Sequence, residues 1–131
     1  MKVLGIVAEY NPLHNGHLYH INKAKQETGA DAVIVVLSGD YVQRGELAVT
    51  NKWVRAESAI KNGIDAVFEI PVYACLGNAS VYASTAIKLL AAIGVVDVIS
   101  FGSESGNIDK LTMVAERLSD SRISDRMVEL A

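Results

Sequence analysis

Apolar runs divide the chain at nearly regular intervals. Residues 2–8, 32–37, 65–70 and 96–101 are rich in Val, Ile and Leu, and Val33-Ile34-Val35-Val36-Leu37 has no polar residue at all. A wholly apolar run of that length fits a strand covered on both faces, as in a parallel sheet. Between the runs, residues 16–28, 50–62 and 78–93 carry apolar positions at helical spacing. Three junctions share one grammar: Gly29-Ala30-Asp31, Gly63-Ile64-Asp65 and Gly94-Val95-Val96-Asp97. In each, a Gly suited to close a helix precedes an Asp and a β-branched run. Alternating strands and helices with short connections predict an open, doubly wound α/β fold with a parallel sheet. This part is expected to span residues 1–106. Beyond it, Asn107 to Leu118 predicts a helix with Leu111, Val114, Ala115 and Leu118 on one face. Ile123, Met127 and Leu130 continue the stripe without a stop signal, so 107–131 reads as the truncated start of a further region.

Composition narrows the class. Half of the 131 residues are hydrophobic, 21% are charged and two are Pro, which excludes a disordered or collagen-like chain. A net charge of −3 advertises neither nucleic acid nor an acidic membrane. No apolar run approaches the roughly 20 residues that span a bilayer. The lone Cys75 has no intramolecular partner, and the chain reads as a cytoplasmic domain with no membrane association. Cys75 and the Tyr73–Tyr82 stretch are expected to be packing.

The chemistry concentrates where the first strand meets the first helix, in Ala8-Glu9-Tyr10-Asn11-Pro12-Leu13-His14-Asn15-Gly16-His17. In open α/β sheets, ligands bind at this carboxyl edge. Pro12 and Asn15-Gly16 predict a tight turn, and Gly16 leaves room for a ligand against the backbone. The first N–H groups of the helix are expected to point outward for a phosphate. His14 and His17 fall on one face and can donate to phosphate oxygens. A metal site with His20 as a third ligand is the competing reading, without a Cys or carboxylate motif to support it. One strand over, Ser38-Gly39-Asp40-Tyr41-Val42-Gln43-Arg44-Gly45-Glu46 forms a second polar loop. Arg44 can clamp a phosphate or carboxylate, and Asp40 can orient a nucleophile or hold Mg2+; a surface Asp/Arg pair is the plain alternative. In the second helix, Trp53, Ala56 and Ile60 are expected to be buried, while Lys52, Arg55 and Lys61 face solvent or RNA. A third glycine-containing turn, Gly102-Ser103-Glu104-Ser105-Gly106, follows the fourth strand at the same edge.

Asn-Pro-x-His-x-Gly-His directly after an apolar strand resembles the HxGH signature of the nucleotidyltransferases related to class I aminoacyl-tRNA synthetases. Together with Gln43-Arg44-Gly45-Glu46, Lys52-Trp53 and Phe101-Gly102-Ser103-Glu104, in the same order, the chain resembles the bacterial tRNA(Met) cytidine acetate ligase family, which usually has Pro where Leu47 stands. The resemblance implies a Rossmann-like HxGH nucleotidyltransferase fold. It implies activation of acetate by ATP, together with Mg2+, to acetyl-adenylate, and acetylation of the wobble cytidine of elongator tRNA-Met. By motif, Val7, Ala8, Glu9, Tyr10, Asn11, Pro12, Leu13, His14, Asn15, Gly16, His17, Leu18, Tyr19 and His20, with Gly102, would line the ATP site. His14 and His17 would be catalytic, stabilising phosphate charge. Asp40, Gln43 and Arg44 are candidate substrate-binding residues by position. Family members are about three times longer, so the chain reads as their N-terminal nucleotide-binding part, inactive alone if the rest is required. The superfamily's second phosphate motif is matched only faintly, by Ser121-Arg122-Ile123-Ser124-Asp125-Arg126. Two other readings compete. One is a small-molecule adenylyltransferase acting on nicotinamide mononucleotide or phosphopantetheine. The other is a non-catalytic nucleotide-binding or interaction module.

Overall fold

The structure is a computed structural model that describes residues 1–103 and 106–119. These fall into two compact units divided after Phe101. The elements of the first are β1 (Val3–Ala8), α1 (Asn15–Thr28), β2 (Ala32–Ser38), α2 (Lys52–Lys61), β3 (Ala66–Ile70), α3 (Val72–Leu76), α4 (Ala79–Ile93) and β4 (Val98–Ser100). In the second unit, α5 (Ile108–Leu118) is capped by Asn107, whose side chain accepts from the Lys110 N–H. The stripe expected at Ile123, Met127 and Leu130, and Ser121–Arg126, lie outside the described residues, as do Glu104 and Ser105.

The four strands are parallel in the order β3-β2-β1-β4. The expected open α/β architecture is therefore present. After β1, β2 and β3 the chain crosses back to lay β4 beside β1, so the switch point of the sheet lies at β1. One face carries Leu4, Ile6, Val33, Val35 and Leu37 against Ile21 and Ala24 of α1 and Ala59 of α2. The other carries Val3, Ile34, Val36 and Ile70 against α3 and α4 through Ala74, Cys75, Ala86 and Leu90. Both faces are covered, which is why β2 shows no alternation. Gly5 admits α4 closely, since a Cβ there would meet Val96 Cγ1 at 2.9 Å and Leu90 at 3.1 Å.

The Gly-Asp grammar has a physical cause at the opposite, amino edge. Gly29 and Gly94 close their helices at φ 65° and 77°. Each following Asp then grips the neighbouring strand with two groups. The Asp31 N–H donates to the Lys2 carbonyl, and its Oδ2 accepts from the Lys2 N–H at 2.6 Å. Asp65 does the same with Val33, and Asp97 with Val3, their Oδ2 atoms accepting at 2.8 and 2.7 Å.

Several expectations need correction. In α2 the buried residues are Arg55 and Ala59, while Trp53 is 74% exposed and Ile60 is exposed. The helix is turned so that its small residues approach the sheet and its arginine reaches the backbone of two loops. Arg55, expected at the surface, is therefore buried. The short helix α3 was not foreseen: five residues are too few for a periodic signal. Cys75 on it is buried, as expected, but Tyr73 beside it is exposed. β4 is also shorter than the apolar run that announced it.

Candidate functional site

At the end of β1 the chain turns through Tyr10, which has φ 43°, and a cis Asn11–Pro12 bond. His14 then caps α1. Its Nδ1 accepts from the Gly16 N–H at 3.1 Å, and His17 Nδ1 accepts from the His14 N–H at 3.3 Å. This is a capping box built from two imidazoles. The rings stack with centroids 3.7 Å apart and 24° between planes. Tyr10 meets His17 edge-on at 5.0 Å. With Nδ1 of each ring accepting from backbone, a neutral imidazole carries its proton on Nε2. Both histidines thus present an N–H donor away from the helix terminus. Burial, then the charges of His14 and His20, hold the His17 pKa below its ordinary value, so His17 favours this neutral donor form.

The expected phosphate site changes in one respect. The N–H of Gly16 is taken by His14 Nδ1, and those of His17 and Leu18 by the His14 carbonyl. The donors on offer are chiefly imidazole edges rather than open backbone. Gly16 serves the same device: a Cβ there would meet His14 Cε1 at 3.0 Å and Nδ1 at 3.1 Å. The glycine makes room for the His14 ring.

The structure distributes the remaining candidates unevenly. Val7, Ala8, Leu13 and Leu18 pack against the two cores. Tyr19 and Asn15 are exposed. His20 Nε2 lies 2.9 Å from Ser100 Oγ, tying α1 to β4. Gly102 is exposed at the start of the second unit. The second loop is sewn to the first turn: Glu9 Oε1 accepts from the Gln43 N–H at 2.8 Å, and Asn11 Oδ1 from the Val49 N–H at 2.7 Å. Asp40 Oδ1 accepts from the Lys52 N–H at 3.1 Å, at the start of α2. Gln43 and Arg44 form the corner of a turn closed by Gly45 N–H on the Val42 carbonyl at 3.0 Å. Arg44 is exposed there at φ 88°, and Leu47 bridges Tyr41 across the hairpin. Among the described residues no group of three or more His, Cys, Asp or Glu can hold a metal ion.

The residue that sequence reasoning missed is Arg55. Its Nη1 donates to the Glu9 carbonyl at 2.6 Å, its Nε to the Thr50 carbonyl at 3.2 Å, and its Nη2 to the Gly39 carbonyl. One guanidinium thus joins the carboxyl ends of β1 and β2 to the approach to α2. Its signal was faint: an arginine flanked by Ala56 and Ala59 on the face that small residues mark as inward.

A model of the HIGH Nucleotidyl Transferase family matches residues 1–129. The chain belongs to this family. The matched range includes the His14–His17 cap just described. Among relatives, the tRNA(Met) cytidine acetate ligase of Caldicellulosiruptor bescii is 52% identical over 120 residues, 91% of this chain and 30% of that protein. That of Acetivibrio thermocellus is 48% identical over 118 residues, 90% and 28% respectively. A crystal structure of Thermotoga maritima TmcAL bound with alpha-thio ATP is 48% identical, with a TM-score of 0.88 over 92% of this chain and 29% of that one. A lipopolysaccharide core biosynthesis protein from Thermoplasma volcanium, 17% identical with a TM-score of 0.52, shares the fold. The chain thus spans about three tenths of the length of the ligases it matches. The resemblance drawn from the HxGH turn and the Gln43–Glu46 loop is borne out at this level of identity.

Proposed function

We propose that this HIGH nucleotidyl transferase chain binds ATP at the His14–His17 cap and serves in the activation of acetate to acetyl-adenylate, followed by acetylation of the wobble cytidine of elongator tRNA-Met. Residues 1–106 would supply the nucleotide-binding part, in the cytoplasm. The observation that carries the reading is the pair of stacked imidazoles whose Nδ1 atoms are both engaged by backbone N–H groups. It is supported by the ligases of about 50% identity and by the TmcAL structure that holds an ATP analogue.

The chemistry follows from where charge grows. An acetate oxygen attacks the α-phosphorus, the α–β bridging bond breaks, and pyrophosphate leaves. Negative charge develops on the phosphate oxygens, where the Nε2–H groups of His14 and His17 can stabilise it without covalent participation. Mg2+ would arrive with the ATP phosphates. In the second step the cytidine amine attacks the acetyl carbon, the acyl–phosphate bond breaks, AMP leaves and the amine loses a proton. Asp40, Gln43 and Arg44 would shape the acceptor side, while Glu9 would line the ATP site with the other residues of the 7–20 stretch.

The test is pyrophosphate release from ATP with acetate, beside acetyl transfer to the tRNA from synthetic acetyl-adenylate. His17→Ala should slow the first by about a hundredfold to a thousandfold and leave the second nearly intact. Nicotinamide mononucleotide or phosphopantetheine in place of acetate should release no pyrophosphate. Equal loss in both half-reactions would show that His17 holds the fold or a shared pocket, and the reading of its role would fall.

A further inference from the structure

On the same sheet edge, two strands from β1, lies a groove of about 280 Å³ between α2 and β3. Leu37, Ala56 and Val67 form its apolar part, Trp53 stands over it, and Lys52 and Glu69 occupy its polar part. Trp53 is 74% exposed, a large apolar ring that the fold does not use. Lys52 Nζ sits 5.5 Å from that ring's centroid and holds both Glu69 oxygens, at 2.9 and 2.7 Å. The carboxylate lies over Gly39, where a Cβ would collide with Glu69 Oε1. Glu69 is thus held at the carboxyl end of β2 from two sides, although it belongs to a strand edge.

We infer that this groove seats the acceptor base: an unpaired cytosine that stacks on Trp53 and donates its exocyclic amine to Glu69. The inference rests on the proposed function, and three observations favour this occupant. An exposed indole offers a stacking face that any base can use. A carboxylate accepts from the N4 amine of cytosine, whereas uracil presents an O4 acceptor to it and is repelled. Finally, a chain of net charge −3, with Lys52 already paired to Glu69, gives phosphate little to hold. An RNA contact here must be made through a base, and it should depend weakly on salt. The volume lies near the lower end of ligand sites, which run from roughly 300 Å³, so it suits one ring system better than a whole nucleotide.

Trp53 is the only tryptophan in the chain, so its fluorescence reports the groove directly. The full chain is titrated with a hairpin RNA carrying one unpaired cytidine in its loop, and with the same hairpin carrying uridine there. The cytidine hairpin should quench Trp53 and bind about tenfold tighter than the uridine one. Trp53→Ala, followed with dye-labelled RNA, should weaken the cytidine hairpin by about tenfold or more. Its melting temperature should hold, because the ring is exposed. Glu69→Gln should bring the two hairpins within a few-fold of each other. Equal affinity for cytidine and uridine hairpins in the unaltered protein overturns the inference whatever the variants do. So does a Trp53 spectrum that shifts with protein concentration alone, which would mean that a second copy covers the groove. Binding of ATP to the same chain is measured in parallel. If it persists while the RNA measurements fail, only the groove falls; if it is absent while the hairpin binds selectively, the proposed function falls.

Discussion

His17 carries more of the argument than any other side chain, because its protonation state decides whether it donates from one nitrogen or two. Its pKa is lowered by burial first, then by the charges of His14 and His20. A histidine of lowered pKa is neutral in the fold at pH values where the unfolded chain still binds a proton. Between its folded pKa and the ordinary value of about 6.5, the unfolded state holds more protons, so stability rises with pH. Melting temperature should therefore fall as the pH drops through about 6.5, and His17→Gln should flatten that part of the curve relative to the unaltered chain. An unchanged slope would mean that other groups set it. Tyr10 supplies a second test at this scale. It is 2% exposed, and among the described residues with buried side-chain polar atoms its hydroxyl lacks a hydrogen-bond partner. Burial raises its pKa to about 12, so it stays protonated. A buried, unpartnered hydroxyl costs about 1–3 kcal/mol. Tyr10→Phe should raise stability by about 1 kcal/mol in a denaturant melt while keeping the edge contact with His17. A loss would show that the hydroxyl has work to do.

At the scale of the element, α2 separates what the sequence could tell from what it could not. The position of the helix was legible from the helical spacing over residues 50–62, and Asn51 caps it, its Oδ1 accepting from the Val54 N–H at 3.0 Å. The rotation of the helix was not. Hydrophobic counting buries Trp53 and Ile60, yet the helix turns Ala59 and Arg55 inward, because three backbone carbonyls from two loops need donors and only a guanidinium reaches them all. That requirement exists only once β1, β2 and the 39–50 loop have come together, so no local pattern encodes it. The His14–His17 cap was legible in kind, since the motif stands directly after a strand. Its use of two ring nitrogens to cap the helix appears only in three dimensions. Arg55→Met tests the point. The carbonyls of Glu9, Gly39 and Thr50 would lose their donor at about 1–3 kcal/mol for each that stays buried. The expected loss is at least about 3 kcal/mol, read from chemical denaturation. Arg55→Lys should recover part of it, because an ammonium reaches some but not all three carbonyls. If Arg55→Met is within about 0.5 kcal/mol of the parent, water replaces the guanidinium and its structural role is refuted.

Across the whole molecule the two edges of the sheet divide the labour. The carboxyl edge holds the histidine cap, the 38–50 loop and the Trp53 groove, while the amino edge holds three aspartates that fasten β2 to β1, β3 to β2 and β4 to β1. The division was half visible in the sequence. The Gly-Asp junctions marked where helices give way to strands, but their spacing did not say that each Asp would reach sideways to a neighbouring strand. The arrangement predicts that stability and nucleotide binding can be changed separately. Asp97 is the sharpest case, because β4 has three residues, Val98–Ser100, and among the described residues pairs with β1 alone. Asp97→Ala removes the oxygen that accepts from the Val3 N–H at 2.7 Å, leaving a donor on a buried residue. The backbone bond from the Asp97 N–H to the Val3 carbonyl survives, so the strand should remain in register. The cost should be about 1–3 kcal/mol, the penalty for a buried donor without an acceptor. Asp97→Asn should lose less, because its amide oxygen can still accept. The His14–His17 cap lies at the far end of β1, so ATP affinity measured well below the melting transition should match that of the unaltered chain. A variant that loses affinity in step with stability would show that β4 transmits its position along the strand to Ser100 and thence to His20, whose Nε2 it meets at 2.9 Å. In that event the two edges act as one, and the separation argued from the sheet would not hold.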